Sequence, residues 1–509
     1  MATTTLDPRR WWALGAMSVS LLVVGLDLTV LNVALPTLAT DLGASTSQLQ
    51  WFANAYTLVL AALLLPAGLL GDRFGQKRLL IGALLMFGAA SAACAFSSSP
   101  GQLIAFRAAL GVGAAFLIPL SMSLLNVLFA PDERTRAMTI WVMANSLGIP
   151  LGPVLGGWLL DNYRWGSVFL INVPLVAVGL VAVALLIPAT RGHRSGRIDV
   201  LGILLSGAGL VSLTYGFVAA GERGWGDVLT LGCIACGVVL LAAFGAWQAR
   251  ATDPLVDLSL FKSPRFTWGT VVATLASFAL MGLIFVLPQL FQAVQGADAL
   301  HTGLRLLPII GGLLVGAKVA ERLVVAAGAR VTVAAGFVLM LAGLTLGAFT
   351  SVGDGYGYTA IWVSLVGLSI GFTLPTVMDL AIGALSPERS GSGSGLIQAL
   401  RQVGGTIGVA ILGTVLNSTY RGQLDVTGLP PAAAHAARDS ASGAVAVAAQ
   451  AKLPALAESA RNAFVHGMNA TLWTCCAVAV LGLVLALAFL PRRPGSVENE
   501  PTEVATIGS

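Results

Sequence analysis

The chain has 509 residues, with 28 Lys and Arg against 23 Asp and Glu, a net charge of +5 and only 10% charged residues. A soluble domain carries about 25%, and at 56% hydrophobic residues and a mean hydropathy of +0.86 the apolar surface cannot be hidden inside a water-soluble globule. Those figures exclude a cytosolic enzyme, a secreted disulfide scaffold and a disordered tail, and leave an all-α, multi-pass membrane protein.

A membrane-crossing helix takes about 20 mostly apolar residues. Fourteen runs fit: Trp11–Leu35, Leu49–Leu70, Leu79–Phe96, Leu103–Leu128, Ala137–Leu160, Val168–Ile187, Val200–Ala220, Val228–Trp247, Phe266–Phe291, Leu304–Ala320, Val331–Phe349, Thr359–Leu385, Gly393–Asn417 and Phe464–Leu490. Their continuous apolarity favours helices over the alternating strands of a barrel. The first run follows Arg9 and Arg10, exceeds the apolar core of a signal peptide and contains Asp27, so it reads as a retained span. With the N-terminus in the cytoplasm, eighteen of the 28 cationic residues fall on inner connections and tails. Short outer connections hold only Arg164 and Arg223, the asymmetry expected of cytoplasmic loops. Both termini are therefore expected in the cytoplasm, with the chain in the cell membrane. Basic residues form no single face or run, so nucleic acid is not an expected partner.

In chain order, the first notable feature is Asp27, followed at helical spacing by Thr29 and Asn32. An ionisable group inside a span costs at least ~2.5–3.5 kcal/mol and marks function or a structural pair. After the second run comes Gly68-Leu-Leu-Gly-Asp72-Arg73-Phe-Gly75-Gln-Lys77-Arg78, where glycines permit close helix approach and the charges can pair with neighbouring helix ends. A fainter echo, Gly316-Ala-Lys318 to Glu-Arg322 and Gly328-Ala-Arg330, lies in the second half. Arg107 opens the fourth run; it is always charged and must find partners in lipid, whether a carboxylate or helix carbonyls. Gly148-Ile-Pro150-Leu-Gly152-Pro153-Val-Leu-Gly156-Gly157 fills the fifth. Cys94, Cys475 and Cys476 lie in apolar runs, and the Cys233/Cys236 pair has no nearby His, so all five read as packing residues. Asp379 lies toward the cytoplasmic end of its run and reads first as structural, while Gly391-Ser-Gly-Ser-Gly395 reads as close packing. The segment 418–463 suggests one or two short amphipathic helices.

These motifs, in this order on these runs, resemble the major facilitator superfamily, and specifically its 14-helix drug/proton antiporter branch. The loop after the second run is similar to that family's signature, departing at Gly71 and Gln76. The likeness extends to Arg164-Trp165 through Asn172-Val-Pro174, to Asp253-Pro254-Leu-Val-Asp257 and to Gln398-Ala-Leu-Arg401-Gln402. The resemblance implies two pseudo-symmetric six-helix bundles, residues 1–198 and 265–509, with two additional helices and a linker at 199–264. It implies proton coupling through Asp27 and Arg107, and alternating access about a central cavity, without a cofactor or metal. Members that export divalent organic cations carry an extra acid in the tenth span; Leu306–Lys318 has none, which argues against dication export.

On this reading, Asp27 holds a proton when the site is empty and releases it when a lipophilic cation binds, since desolvation raises a carboxyl pKa and a neighbouring cation lowers it. Thr29, Asn32, Phe116, Trp141, Phe285, Trp362, Phe372, Gln398 and Arg401 are candidate pathway residues. For each aromatic, packing or lipid contact is the competing use. The expected activity is export of lipophilic, cationic drugs in exchange for protons, by a monomer in contact with membrane lipid. The alternative is a dedicated exporter of one endogenous metabolite or self-made antibiotic. An ATP-driven pump would need a phosphate-binding Gly-Lys loop, and the sequence has no Gly-Lys dipeptide. His193, His301, His435 and His466 fall in connections or at run edges, which leaves an intramembrane enzyme without its machinery.

Overall fold

Lipid offers no hydrogen-bond partners, so backbone groups inside it must be satisfied within each segment, and the apolar runs fold as helices. The computed structural model describes residues 9–44, 46–188, 199–251, 254–386 and 390–491. The helices are α1 (Arg10–Asp41), α2 (Thr46–Phe74), α3 (Gln76–Ala95), α4 (Pro100–Leu128), α5 (Pro131–Asn162), the short α6 (Ser167–Leu170) leading into α7 (Asn172–Leu186), α8 (Val200–Arg223) and α9 (Val228–Gln248). They continue with α10 (Pro264–Gln289), α11 (Ala299–Ala327), α12 (Ala329–Gly347), α13 (Tyr356–Gly383), α14 (Ser390–Gln423), α15 (Pro431–Asp439), α16 (Ala441–Ala451) and α17 (Pro454–Phe489). Among the described residues no strand forms.

Among the described residues, thirteen helical segments are long and apolar enough to cross a membrane. The run Leu304–Ala320, expected as a further span, lies in α11, which is 29 residues long but carries Arg305, Lys318, Glu321 and Arg322 and is not among the thirteen. The segment 418–463 holds α15 and α16, and it also lengthens its neighbours: α14 runs on to Gln423 and α17 starts at Pro454. The Tyr420 hydroxyl donates to the Ala437 carbonyl at 2.8 Å and ties this cap to α14.

The packing repeats. In the first half α1 pairs with α5, α2 with α4, α3 with α4, and α7 with α1 and α3. In the second half α10 pairs with α14, α11 with α13, α12 with α13, and α17 with α10 and α12. Small connecting features repeat as well. Gly75 (φ 93°) turns the chain between α2 and α3, and Gly328 (φ 86°) does so between α11 and α12, a left-handed backbone that glycine adopts without a Cβ penalty. Lys77 Nζ donates to the Ala184 carbonyl at 2.7 Å, holding the end of α7, and Arg330 Nε donates to the Leu490 carbonyl at 2.5 Å, holding the end of α17. The faint sequence echo thus marks equivalent corners of two similar units. α8 and α9 form a hairpin beside them, touching α2 and α14. Its open end is locked by Asp199, which accepts from Gly202 N at 2.8 Å, Trp247 Nε1 at 2.9 Å and Gln248 Nε2 at 2.7 Å.

Without a hydrophobic driving force between helices in lipid, close association relies on small residues at the seams. Between α11 and α13 the approach is reciprocal. A Cβ on Gly312 or Gly316 would strike the Ser364 or Leu368 carbonyl, and one on Gly367 or Gly371 the Ile309 or Leu313 carbonyl. Gly316→Val is expected to cost about 1–3 kcal/mol by overpacking and to lower the unfolding temperature in detergent. Gly311→Val, which meets open space on the same helix, should leave it unchanged. Equal losses for the two variants would contradict a packed seam.

Candidate functional site

Three polar clusters interrupt the apolar interior. The first is built around Asp27, whose side chain is 0% exposed at the middle of α1. Arg107 of α4 reaches it with Nη1 at 2.5 Å from Oδ2 and is itself only 2% exposed. The rest of the guanidinium is engaged too: Nε donates to the Phe52 carbonyl at 2.8 Å, and the charge lies 4.7 Å from the centre of the Tyr56 ring, both on α2. Asn172 at the start of α7 approaches Asp27 Oδ1 at 3.4 Å and donates to Ser91 Oγ of α3 at 3.0 Å; Ser91 in turn donates to the Phe169 carbonyl at 2.8 Å. One buried ion pair therefore ties together α1, α2, α3, α4, α6 and α7. Taking two charges out of water is costly unless geometry and extra hydrogen bonds compensate, and removing one partner alone is heavily destabilising.

In this structure Asp27 is enclosed within the first group of helices, with no exposed surface. The Thr29 hydroxyl donates to the Leu26 carbonyl at 3.3 Å and the Gly25 carbonyl at 3.5 Å and faces Gly152 of α5. The side chain of Asn32 lies outside the described residues. Asn172 and Ser91 are the members that sequence reasoning missed. The available signal was a lone Asn in an apolar run, inside the Arg164–Pro174 stretch.

α1 is seated against α5 through glycines. A Cβ on Gly25 would meet the Asn145 carbonyl, one on Gly148 the backbone of Gly25 and Leu26, one on Gly152 the side chain of Thr29, and one on Gly156 the side chain of Val30. Pro153 and Gly157 lie in the same stretch of α5. α1 and α5 are therefore in close contact along this seam.

The second cluster joins the two halves at the end of the molecule where α1 begins and α17 finishes, the basal end. Asp72 of α2 is buried and accepts from both Gly391 N and Ser392 N, at 2.8 Å each, so it caps the first turn of α14 with a full negative charge. Gln76 donates to Ser390 Oγ at 3.2 Å and to Ser123 Oγ, and the two serine hydroxyls lie 3.0 Å apart. A Cβ on Gly68 would collide with Gly391, which explains why both are glycines. Nearby, Thr135 of α5 donates to Asp379 Oδ2 of α13 at 2.8 Å, and Asn126 of α4 donates to the Leu385 carbonyl at 3.4 Å. The stretch Gly391–Gly395, expected only to pack closely, also supplies the hydrogen bonds that shut this end. Arg73 and Arg78 do not take part in these bonds: Arg73 lies 5.7 Å from the Phe74 ring centre and Arg78 is exposed.

The third cluster lies between the halves. Arg401 of α14 donates from Nε to Ser277 Oγ of α10 at 3.0 Å, and from Nη1 to Gln398 Oε1 at 3.0 Å and Met378 Sδ of α13 at 3.5 Å. Gln398 reaches across to Met122 Sδ of α4 at 3.0 Å. Of the aromatics, Trp141, Trp362 and Phe372 are buried in helix packing: Trp141 Nε1 donates to Ser121 Oγ of α4 at 3.0 Å, Trp362 covers Gly347, and Phe372 covers Gly336 of α12. Phe116 is partly buried, and Phe285 is 37% exposed near Gly413. A cleft of about 500 Å³ also opens between α5 and α11 toward the basal end, lined by Arg136, Thr139, Met143, Leu314, Lys318 and Glu321.

The structure thus combines a buried ion pair within one helical unit, a repeated unit, and a hydrogen-bonded contact between the units. The sequence model described as Major Facilitator Superfamily matches residues 17–409. The chain belongs to that superfamily. Superfamily members are transporters, and this chain is a transporter rather than an enzyme. It is 35% identical to the multidrug efflux pump LfrA of Mycolicibacterium smegmatis, over 96% of each chain. It is 33% identical to the tetracenomycin C resistance and export protein of Streptomyces glaucescens, over 98% of this chain and 96% of that one. Its fold matches the crystal structure of the human organic anion transporter MFSD10 (TETRAN) with a TM-score of 0.64 at 16% identity, covering 94% of this chain and 100% of that chain.

Proposed function

We propose that this transporter exports lipophilic drugs or antibiotics across the cytoplasmic membrane in exchange for protons. Its halves, residues 1–198 and 265–509, rock about the central space, while residues 199–264 form an inserted hairpin and α11 serves as the fourteenth span. The enclosed Asp27–Arg107–Asn172 network is the observation that carries this reading, and the relatives that export antibiotics or multiple drugs support the cargo class. Both termini are assigned to the cytoplasm from the distribution of cationic residues, so the basal closure is the inner gate and the chain is closed to the cytoplasm here. The transporter acts as a monomer surrounded by lipid.

The physical cycle runs through charge. Protonating Asp27 removes the partner of Arg107 and leaves a bare guanidinium among apolar helices, an arrangement that must rearrange. α1 moves relative to α4, and the glycine seam passes that movement to α5, whose basal end holds Arg10 of α1 through Glu133, with contacts at 2.9 and 2.8 Å, and Asp379 of α13 through Thr135. Deprotonation restores the pair. One charge crossing 100 mV supplies ~2.3 kcal/mol, and each pH unit about 1.36 kcal/mol more. The carboxylate assigned to cationic cargo is thus already neutralised by Arg107, and cargo charge has to be read from the central space instead.

The second reading, a dedicated exporter of one metabolite, draws on the tetracenomycin C relative. Uptake of fluorescent lipophilic compounds into inside-out vesicles tests both. Proton-coupled export predicts accumulation with an acidic lumen and its collapse on adding an uncoupler. Accumulation that is indifferent to the gradient would overturn antiport, and movement of a single compound alone among many would favour the dedicated exporter.

A further inference from the structure

Arg401 is unlike the other arginine held deep among the helices. Arg107 is neutralised by Asp27, whereas Arg401 belongs to no ion pair among the described residues. Its partners, Ser277 Oγ, Gln398 Oε1 and Met378 Sδ, are all neutral. A guanidinium has five N–H donors. Nε and Nη1 are occupied by those partners, while Nη2 has none among the described residues and is not among the atoms sealed off from solvent. An uncompensated charge at this depth is expensive in a dry environment and is tolerated facing a water-filled or liganded space.

The surroundings have a second character. Distal to Arg401, on the same two helices that hold it, a small apolar cleft of about 20 Å³ is lined by Leu280 and Ile284 of α10, Ile370 of α13, Ile309 and Leu313 of α11, and Ser146 of α5. At about 1.5 Å per helical residue, these positions lie roughly 5–12 Å along α10 and α13 from Ser277 and Met378. The guanidinium and the apolar cleft thus share α10 and α13, one further along these helices than the other.

We propose that Arg401 is the anion receptor of the central cargo site and that its preferred cargo is an amphipathic organic anion, a carboxylate or acidic phenol on a flat apolar body. The open Nη2 edge supplies charge-assisted hydrogen bonds to the acidic oxygens, a geometry that suits the planar guanidinium better than an ammonium. Ser277 and Gln398 hold the fork in register, and the small cleft between α5, α10, α11 and α13 widens to take the apolar body. This assignment rests on the export reading of the same central space and reverses the cation preference expected from sequence.

The test is a fluorescence titration of the purified full chain, by energy transfer from tryptophan, with three probes sharing one ring system: 1-pyrenebutyrate, 1-pyrenebutanol and 4-(1-pyrenyl)butyltrimethylammonium. The native chain is expected to bind the acid about tenfold more tightly than the alcohol, and the ammonium compound most weakly, because only the acid forms charge-assisted bonds. Arg401→Gln should weaken acid binding about tenfold and leave the alcohol within about twofold, with Arg401→Lys intermediate. The proposal is overturned if the native chain binds acid and alcohol equally, binds the ammonium compound best or fails to bind the acid, or if Arg401→Gln keeps the full preference. If Arg401→Gln does not fold, the ranking on the native chain can still overturn the proposal, and Arg401→Lys, which keeps the charge but not the fork, tests the assignment to Arg401. Charge-selective binding without gradient-driven uptake in vesicles would remove the export reading and leave the anion site. Uptake indifferent to cargo charge, with no acid preference in the titration, would do the reverse.

Discussion

Asp27→Asn is expected to abolish gradient-driven export and to lower thermal stability together. The side chain keeps its shape and can still accept from Arg107, but it cannot titrate and no longer neutralises a guanidinium that is 2% exposed. Breaking a buried pair by removing one charge costs about 3–5 kcal/mol, because the survivor is left uncompensated. Adding Arg107→Gln removes that survivor. The double variant should therefore recover most of the unfolding temperature lost by Asp27→Asn while remaining inactive in vesicles. Thermal unfolding and vesicle uptake, measured on both variants, separate the two roles of the pair. Native rates of gradient-driven uptake by Asp27→Asn would remove the carboxyl from coupling. Failure of the double variant to regain stability would mean that the Phe52 carbonyl and the Tyr56 ring hold the arginine without it.

The second large effect is expected at the inner gate. Asp72 receives two amide N–H groups at the first turn of α14, a task for a carboxylate with two accepting oxygens. In Asp72→Asn one oxygen becomes an NH2 that faces another donor. An unsatisfied buried amide costs about 1–3 kcal/mol, and loss of the charge at the helix N-terminus about 0.3–1 kcal/mol more. A sum near 2 kcal/mol shifts a two-state ratio roughly 5- to 30-fold, enough to open a gate that is closed in the native chain. Spin labels at the exposed positions Arg78 and Ser386 should report a longer population in the variant. Unchanged distances would mean that the glycine contact of Gly68 with Gly391 and the Thr135–Asp379 bond hold the gate without Asp72.

Much of this was legible in the sequence because lipid imposes a simple rule: long apolar runs must be helices, and each charge inside one needs a reason. Asp27 and Arg107 were recognisable as an intramembrane acid and base, although their direct bond was not. Nothing local in the sequence places residue 27 beside residue 107; that follows from α1, α2 and α4 meeting in three dimensions. α11 was less legible because its polar residues dilute its apolarity. Asn172 was read only as part of a motif, and Ser91, Ser123 and Ser390 escaped notice, because a lone small polar residue in a membrane helix usually bonds its own backbone, as Ser20 does to the Ala16 carbonyl. The aromatics were the weakest part of the reading. Trp141, Trp362 and Phe372 are large and apolar, which fits a cavity wall and a helix seam equally well, and here they occupy seams. Arg401 was picked out by motif, but its lack of an acidic partner is visible only in the packed structure.

The most direct measurement of the coupling claim is proton release on cargo binding. In weakly buffered detergent solution with a pH indicator, at a pH low enough to protonate Asp27 in the cargo-free chain, saturating the purified native chain with a transported compound, corrected for any protons carried by the compound itself, should release protons in proportion to the binding sites filled. Asp27→Asn, binding the same compound, should release none. Equal release by the two proteins would contradict the account, since the exchanged proton would then have to reside on some other group.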